Sequence, residues 1–414
     1  MSAFIWSEDD VTVREAVRKW VDATVRPARD DLEHGGVPPY EIARDYYATF
    51  GIAEAAAEKF DWEIARDEAL IAGTPFDVAQ PEEMDSSTMT ISNIELVKVC
   101  PGIPTSIGIS AGMTAATINA LGTIEQRKRW VRDLLTLEKV GAWAITEPDS
   151  GSDAFGGMRT TAKPDGDGWV LNGQKTFITN GPYADTMVVY AKLDDGSGAD
   201  KREAPVMIFV LEKGMEGLTQ GKAFRKMGMH SSPTGELFFD HVRVTTDNLL
   251  AGEPRLADAP KADGRESARA NFVAERFGIA TFSLGIIEEC LRLCVDYAKT
   301  RELWGKPIGE FQLIQAKLAE MEIARVNVEN MVLKGLDYKR RGQILDLAEA
   351  SAMKLYSSRA ASEVTMEAVQ LFGGNGYMAE YHVEQLARDA KVLMIYAGSN
   401  EVQTTHVAKR LLRR

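Results

Sequence analysis

The spacing of hydrophobic and polar residues divides the chain into a helical part, a β-rich part and a second helical part. In roughly the first third, apolar positions recur every three to four residues, as in "VTVREAVRKWVDATV" and "IEQRKRWVRDLLTLEK", which predicts amphipathic helices. Ser7 with Asp10, and Thr123 with Gln126, form capping-box patterns ahead of those two helices. Pro27 is expected to end the first helix, since proline cannot continue it.

From Gly141 onward, the hydrophobic period shortens to two. The stretch "MRTTAKPDGDGWVLNGQKTFITNG" predicts a strand, an Asp-Gly turn and a second strand, and "DTMVVYAKL", "PVMIFVLEK" and "GELFFDHVRV" predict further strands. After the polar stretch "AGEPRLADAPKADGRESA", helical periodicity returns until the C-terminus. The pattern predicts an α+β protein with an N-terminal α-helical domain (1–140), a central antiparallel β domain (141–260) and a C-terminal helical bundle (261–414).

Composition narrows the class of protein. The 414 residues are 45% hydrophobic and 26% charged, which is typical of a soluble globular protein. The net charge of −13 argues against a nucleic-acid partner, because phosphate binding needs clustered Lys and Arg. Neither a secretory signal nor an apolar stretch of membrane-spanning length is evident, so we expect a cytoplasmic protein.

Cysteine and histidine usage offers little chemistry. Three cysteines give no disulfide framework, and Cys290 and Cys294 lie at helical i, i+4 spacing, as expected of small apolar residues on one face. The five histidines show no metal-ligand spacing, so no metal site is predicted. There is no Walker loop and no strand-led GxGxxG, so a Rossmann dinucleotide site is not expected.

One carboxylate falls in an apolar helical stretch. In "FVAERFGIA", the helical neighbours of Glu275 are mostly apolar, and the adjacent Arg276 points in a different direction on a helix. Most acidic residues of this kind lie at a core edge or pair with a distant cation. The residues alone therefore leave two alternatives for Glu275: partner of a buried cation, or catalytic base.

Five motifs in order resemble the acyl-CoA dehydrogenase family over nearly the whole chain. They are "AITEPDSGSDA", "LNGQKTFITNG", "KMGMHSSPTGELFFDHVRV", "RELWGKPIGEFQLIQAKLAEM" and "QLFGGNGYMAEYHVEQLARDAKVLMIYAGSNEVQ". The resemblance implies an α-helical domain, a β domain and a C-terminal four-helix bundle. It also implies FAD as cofactor, an acyl-CoA thioester substrate desaturated between Cα and Cβ, electron-transferring flavoprotein as electron acceptor, and a homotetramer.

The same resemblance assigns cofactor-binding positions. Thr146 and Thr179 match residues that hydrogen-bond the flavin, with Trp143 on the same strand and Phe177 where an aromatic side chain covers the ring. Ser152 matches a hydroxyl at the pyrophosphate, and Ser399 matches one at the flavin. Five further positions match residues that contact the FAD of a neighbouring subunit or pack on its pyrophosphate and adenosine: Arg301, Trp304, Gln312, Gln370 and Gly374.

The resemblance also resolves the two alternatives for Glu275. Many family members carry the base as glutamate in a Tyr-Glu-Gly-Thr turn, but here the turn reads Tyr396-Ala397-Gly398-Ser399. Isovaleryl- and long-chain-type members carry it on the first helix of the C-terminal domain, just before an arginine, where Glu275-Arg276 stands. Glu275 is thus predicted to be the catalytic base. Arg276, Tyr396, Ala397 and Gly398 are predicted to bind substrate, with the Ala397 N–H on the thioester carbonyl.

Two departures from the family pattern bear on specificity. Residues 58–88 replace the usual "PEEYGG" segment near the substrate entrance, and His230 stands where arginine is more common. The acyl group is therefore left open. Alternative functions on this fold are an oxidase, a non-oxidative elimination, a catalytically silent subunit, or a DNA-associated flavoprotein; the acidic charge disfavours the last and Glu275 disfavours the silent subunit.

Overall fold

The computed structural model describes residues 6–82, 84–196, 202–250 and 264–412. Up to residue 140 the described chain is helical. Its α-helices are α1 (Glu8–Trp20), α2 (Arg26–Glu33), α3 (Tyr40–Thr49), α4 (Ile52–Ala72), α5 (Ser86–Val97), α6 (Gly102–Ile107), α7 (Ala116–Leu121) and α8 (Ile124–Leu135). Two π-helical segments, Val21–Val25 and Gly108–Ala115, join α1 to α2 and α6 to α7.

The local signals at the helix starts are confirmed, but the predicted stop at Pro27 is wrong. Both capping boxes form, at Ser7 with Asp10 and at Thr123 with Gln126. Pro27 lies in the first turn of α2, directly after the π segment, and the helical path continues through it. A proline is tolerated there because the first-turn N–H groups of an α-helix need no intrahelical partner.

The β region forms one seven-stranded sheet. Its strands are β1 (Gly141–Ala144), β2 (Thr161–Asp165), β3 (Gly168–Thr179), β4 (Thr186–Leu193), β5 (Val206–Glu212), β6 (Leu218–Gln220) and β7 (Thr234–Val244). β2 and β3 form the predicted hairpin, with Asp165 opposite Gly168. The predicted antiparallel arrangement holds for most strand pairs, but β1 and β2 both run parallel to β4, on the same side of it.

The C-terminal region is a helical bundle. It contains α9 (Gly264–Thr300), a short hairpin of β8 (Glu302–Leu303) and β9 (Lys306–Pro307), α10 (Gln312–Arg340), α11 (Leu347–Phe372), α12 (Val383–Val392) and α13 (Asn400–Leu412). α9 packs against both α10 and α11, and α5 of the N-terminal region packs on α9. Cys290 and Cys294 are fully buried in this core, as predicted.

The fold class is confirmed: along the chain, a β region lies between an N-terminal and a C-terminal helical region. α8 ends at Leu135 and β1 begins at Gly141, while the predicted border at residues 260 and 261 lies outside the described residues. In the parts of the chain that the structure describes, no helix combines the length and apolarity needed to cross a bilayer.

Candidate active site

Glu275 is a half-buried carboxylate in the first third of α9. Its side chain makes no hydrogen bond and no ion pair with the described residues, so the structure gives no direct cation partner. Burial raises the Glu275 pKa to about 7, although the positive charges of Arg276 and Lys354 pull it down. A carboxylate held near its midpoint at neutral pH is suited to exchanging protons.

Arg276 points into the packed interface between α9 and α11. Its side chain is 2% exposed, and Nη1 donates to Oγ of Ser351 at 3.1 Å. Its guanidinium also lies 5.8 Å from the centre of the Phe272 ring. Burial lowers the Arg276 pKa, and the charge of Glu275 partly offsets that effect. Arg276 therefore acts on Glu275 through space and not through a direct salt bridge.

The turn before α13 has an unusual backbone. Ala397 and Gly398 have φ of 56° and 80°, a left-handed conformation that is strained for alanine. Nε2 of Gln403 donates to the carbonyl oxygens of both residues, at 3.0 and 2.7 Å. The Ala397 N–H, by contrast, donates to no acceptor within the described chain. The turn thus fixes its carbonyls internally and leaves an amide donor available.

Tyr396 and Ser399 flank that turn. Burial raises the Tyr396 pKa well above its usual value, and the charge of Glu275 raises it further, which places the phenol in the electrostatic field of the carboxylate. Oγ of Ser399 accepts a hydrogen bond from the Val402 N–H at 3.5 Å, at the start of α13. The predicted flavin-contacting hydroxyl therefore also caps a helix.

Trp143 links the sheet to the helix that carries Glu275. Its ring centre lies 4.9 Å from that of Tyr190 on β4 and 6.3 Å from that of Phe272, which is one turn before Glu275. The indole is buried, and its Nε1 has no hydrogen-bond partner in the described chain. Strand β1 and the Glu275 turn of α9 are thus neighbours.

The residues predicted to contact a flavin lie at the ends of β1 and β3. The Thr176 N–H donates to the Thr146 carbonyl at 2.9 Å, which ties the loop after β1 to β3. Within an irregularity of β3, Phe177 has φ of 57° and is 67% exposed. The hydroxyls of Thr146 and Thr179 are half-buried and bond to none of the described residues. Unpaired hydroxyls beside an exposed aromatic side chain fit a planar, polar ring such as flavin.

Ser152 is exposed in a turn beside this region. The turn is closed by an isolated bridge between Glu147 and Ser150, and Oγ of Ser150 donates to the Asp153 carbonyl at 2.7 Å. Because other residues hold the turn together, the Ser152 hydroxyl is available to a ligand.

The five positions assigned to a neighbour's cofactor lie at the opposite end of the bundle. Tyr297, near the end of α9, stacks on Phe372 with ring centres 4.1 Å apart, and this contact brings the end of α9, just before the β8–β9 hairpin, next to the end of α11. The axial distance from Glu275 to Tyr297 is about 33 Å, from 22 residues at the helical rise of ~1.5 Å. All five residues are exposed: Arg301, Trp304, Gln312, Gln370 and Gly374. Within one subunit they do not form a common site with Glu275.

The two departures from the family pattern, segment 58–88 and His230, can be located in the structure. Phe60 and Ile64 of α4 belong to the same hydrophobic cluster as Trp143, and α4 packs against α8, so segment 58–88 begins within this shared core. His230 lies between two backbone carbonyls, with Nδ1 2.9 Å from the Glu33 oxygen and Nε2 2.7 Å from that of Lys226. His230 thereby connects α2 to the β region.

Sequence reasoning missed Lys354, which is fully buried on α11 and faces the turn before α13. Its helical neighbours Ala350, Ser357, Ser358 and Ala361 are all buried, so the signal in the sequence was a lysine on the inner face of an amphipathic helix. Ser351 and Gln403 were also missed, because small or neutral polar residues give no distinctive pattern.

Comparison with known proteins confirms the predicted family. Three family models match in succession: "Acyl-CoA dehydrogenase, N-terminal domain" over residues 7–138, the middle domain over 142–242 and the C-terminal domain over 262–412. An acyl-CoA dehydrogenase of Bacillus subtilis is 35% identical over 408 residues, covering 98% of each chain.

Solved structures agree with this assignment. An acyl-CoA dehydrogenase from Geobacillus kaustophilus superposes with a TM-score of 0.85 at 31% identity, over 100% of both chains. Butyryl-CoA dehydrogenase from Megasphaera elsdenii gives 0.82 at 32% identity, over 99% of this chain and 100% of that one. The chain belongs to the acyl-CoA dehydrogenase family of oxidoreductases.

Proposed function

We propose that this protein is an FAD-dependent acyl-CoA dehydrogenase in which Glu275 removes the α-proton of the acyl thioester. The observation that carries the proposal is Glu275 itself: an unpaired, half-buried carboxylate whose pKa is raised to about 7. It lies one helical turn from Phe272, which contacts Trp143 on the strand leading to the predicted flavin residues. This arrangement supports a base placed as in isovaleryl- and long-chain-type family members.

The residues present fit FAD. The chemistry that FAD supplies when bound is acceptance of the β-hydrogen as hydride. Thr146 and Thr179 would hydrogen-bond the ring, with Trp143 and Phe177 beside it. Ser399 would also meet the flavin, and Ser152 the pyrophosphate.

The turn before α13 would bind the thioester. A thioester α-proton is a weak acid, so its removal needs stabilisation of the negative charge that develops on the carbonyl oxygen. The free Ala397 N–H is placed to donate to that oxygen, while Gln403 keeps the carbonyls of Ala397 and Gly398 turned away. Tyr396 and the buried Arg276 would shape the pocket around Glu275.

Electron-transferring flavoprotein is the electron acceptor in this proposal, and the oligomer is a homotetramer. Large apolar side chains exposed on the C-terminal region support subunit contacts, since burying them against a second subunit would be favourable. They include Trp304 at 87%, Leu313 at 81%, Tyr377 at 81%, Met366 at 59% and Ile323 at 54% exposure.

The proposal is tested by mixing the FAD-loaded protein anaerobically with acyl-CoA thioesters of different chain length and branching. We expect at least one saturated thioester to bleach the flavin absorbance, and the matching free acid to leave it unchanged. If dithionite reduces the flavin but none of the thioesters does, that result contradicts the proposal. Rapid reoxidation of the substrate-reduced enzyme by oxygen would instead identify the oxidase alternative.

Arg301→Ala should weaken FAD retention without changing the fold. Arg301 is exposed at the bundle end remote from Glu275, where a charge-assisted contact to a neighbour's cofactor would be lost. Such a contact contributes about 1.5–3 kcal/mol, so the FAD dissociation constant should rise roughly 10- to 100-fold. Equilibrium dialysis of FAD against the oligomer measures this.

Arg341→Ala is the matched control, because Arg341 is an exposed arginine whose ion pair with Asp337 lies within one turn at the end of α10. It should bind FAD like the wild type. Equal FAD affinity of Arg301→Ala and Arg341→Ala would refute the assignment of Arg301.

A further inference from the structure

Lys354 is a buried cation bonded only to neutral groups. The side chain is 0% exposed, and Nζ donates to the Gly398 carbonyl at 2.9 Å and to Oδ1 of Asn400 at 3.0 Å. No carboxylate lies within ion-pair distance of this ammonium group in the described parts of the chain. Lys175, by comparison, is equally buried but is paired with the carboxylate of Glu147 at 2.8 Å.

The two hydrogen bonds do not by themselves account for a charge at this position. Gly398 O also accepts from Gln403, and Asn400 Oδ1 also accepts from Oγ of Ser358 at 3.2 Å. A neutral donor would satisfy both acceptors without the cost of burying an ion. What a neutral donor lacks is the positive field.

The field of Lys354 acts on Glu275. Burial lowers the Lys354 pKa to about 8, and the carboxylate of Glu275 raises it. Reciprocally, the ammonium group lowers the Glu275 pKa, which burial alone would push higher. Because two interacting groups titrate as a pair, the loss of one changes the apparent titration of the other.

We propose that Lys354 is a positioning residue for the reaction: its ammonium group, bonded to the Gly398 carbonyl and to Asn400, anchors the turn that presents Ala397 and supplies a positive charge to the surroundings of Glu275. This inference rests on the proposed function of Glu275 and goes beyond it, because it assigns a role to a fully buried residue that is not among those predicted to contact substrate or cofactor. It explains why a lysine is placed on the inner face of α11, opposite a left-handed turn.

Other charged or titratable groups also face this pair. Arg276 lies on α9 beside Glu275, Tyr396 lies on the turn, and Glu401 and His406 lie on α13. Lys354→Gln keeps a donor for the Gly398 carbonyl and should hold the turn and these groups in place, so a shift in the titration of Glu275 in that variant reports the missing ammonium group.

The test is a pH titration of the Glu275 carboxyl group by infrared difference spectroscopy on the full-length, FAD-loaded enzyme without substrate. Subtracting the spectrum of Glu275→Gln isolates the infrared band of the Glu275 carboxyl group. In Lys354→Gln, which keeps a hydrogen-bond donor but no charge, the midpoint should move up by about one pH unit, as loss of a nearby cation dictates. Lys354→Met is the second uncharged variant, and an upward shift of the midpoint in either variant supports the proposal. Lys354→Arg should keep the midpoint of the wild type.

Flavin reduction by the most active thioester of the anaerobic screen gives the kinetic readout. Below the midpoint, an uncharged variant should be about tenfold slower, since one pH unit is a tenfold change in carboxylate fraction. It should recover part of that loss at higher pH. Lys98→Met removes another buried lysine, which pairs with Glu95 and Glu288, and should lower stability without moving the pH profile.

A wild-type midpoint in both uncharged variants, with rates lowered equally at every pH, would overturn the proposal and leave Lys354 a structural residue. Failure of the proposed base is separate: Glu275→Gln would then be reduced at the rate of the wild type, whatever Lys354 does.

Discussion

Glu275→Gln should slow flavin reduction by substrate roughly 10²–10⁴-fold, the loss expected when a general base is removed. Glutamine keeps the shape of the side chain but cannot accept the α-proton. The Glu275 side chain bonds to none of the described residues, so its replacement leaves no partner unsatisfied, and FAD and acyl-CoA should still bind. Rapid-mixing measurement of flavin bleaching, with a thermal melt beside it, separates a chemical effect from a folding effect.

Glu289→Gln is the matched control on the same helix. Glu289 is 2% exposed and forms ion pairs with Arg26 and Arg292, which fits a structural carboxylate. This variant should lose stability and keep its reduction rate. Ala397→Glu in the Glu275→Gln background should restore part of the activity, because Ala397 stands at the position where the family resemblance places a glutamate base in many other members. A folded, yellow Glu275→Gln protein with the rate of the wild type would show that Glu275 is not the base.

The titration of Glu275 also sets the pH dependence. The base must be ionised, so the reduction rate should rise as pH increases through about 7. The contribution of Glu275 to folding stability changes with pH in the opposite direction. The pKa of Glu275 in the folded state is raised above the ordinary value of 4.5. The stability that Glu275 contributes is therefore fully present below about pH 4.5 and is lost as pH rises through about 7. Glu275→Gln removes this loss, and should therefore gain stability relative to the wild type at pH above 7.

Lys175→Met should destabilise the protein strongly, costing about 3–5 kcal/mol of unfolding free energy, as expected for breaking a buried ion pair. Lys175 and Glu147 are 0% and 4% exposed, and Nζ of Lys175 also donates to the Ile145 carbonyl at 3.1 Å. Removal of the lysine leaves Glu147 charged and buried. Because Thr146 lies between the two anchored residues, FAD retention should fall with stability.

Denaturant unfolding of the variant with FAD present and absent measures both effects. Lys128→Met makes the same substitution in an exposed ion pair with Glu68, where about 1 kcal/mol or less is expected. The double variant Lys175→Met/Glu147→Gln should recover much of the loss, since removing both charges leaves no unpaired ion. A Lys175→Met protein as stable as Lys128→Met would show that the buried pair contributes little.

The elements predicted from the sequence agree with the structure where the signal is local. The capping boxes at Ser7 and Thr123, the β2–β3 hairpin and the long C-terminal helices depend on residues a few positions apart, and all of them form. Pro27 was misjudged because a π-helical segment ahead of it changes how the helix continues. The parallel pairing of β4 with β1 and β2 was missed because strand neighbours are not encoded in periodicity.

For the candidate site, the sequence by itself predicted which groups would carry chemistry: a carboxylate in an apolar helix, a turn without the glutamate that many family members have, and hydroxyls at the ends of two strands. Only the tertiary structure decided how they are arranged. Lys354 meets Gly398 across 44 positions, and Phe272 meets Trp143 across more than a hundred, contacts that arise when α9, α11 and the sheet pack together. The pKa of Glu275 depends on that packing, because burial and the distances to cations exist only in the folded chain.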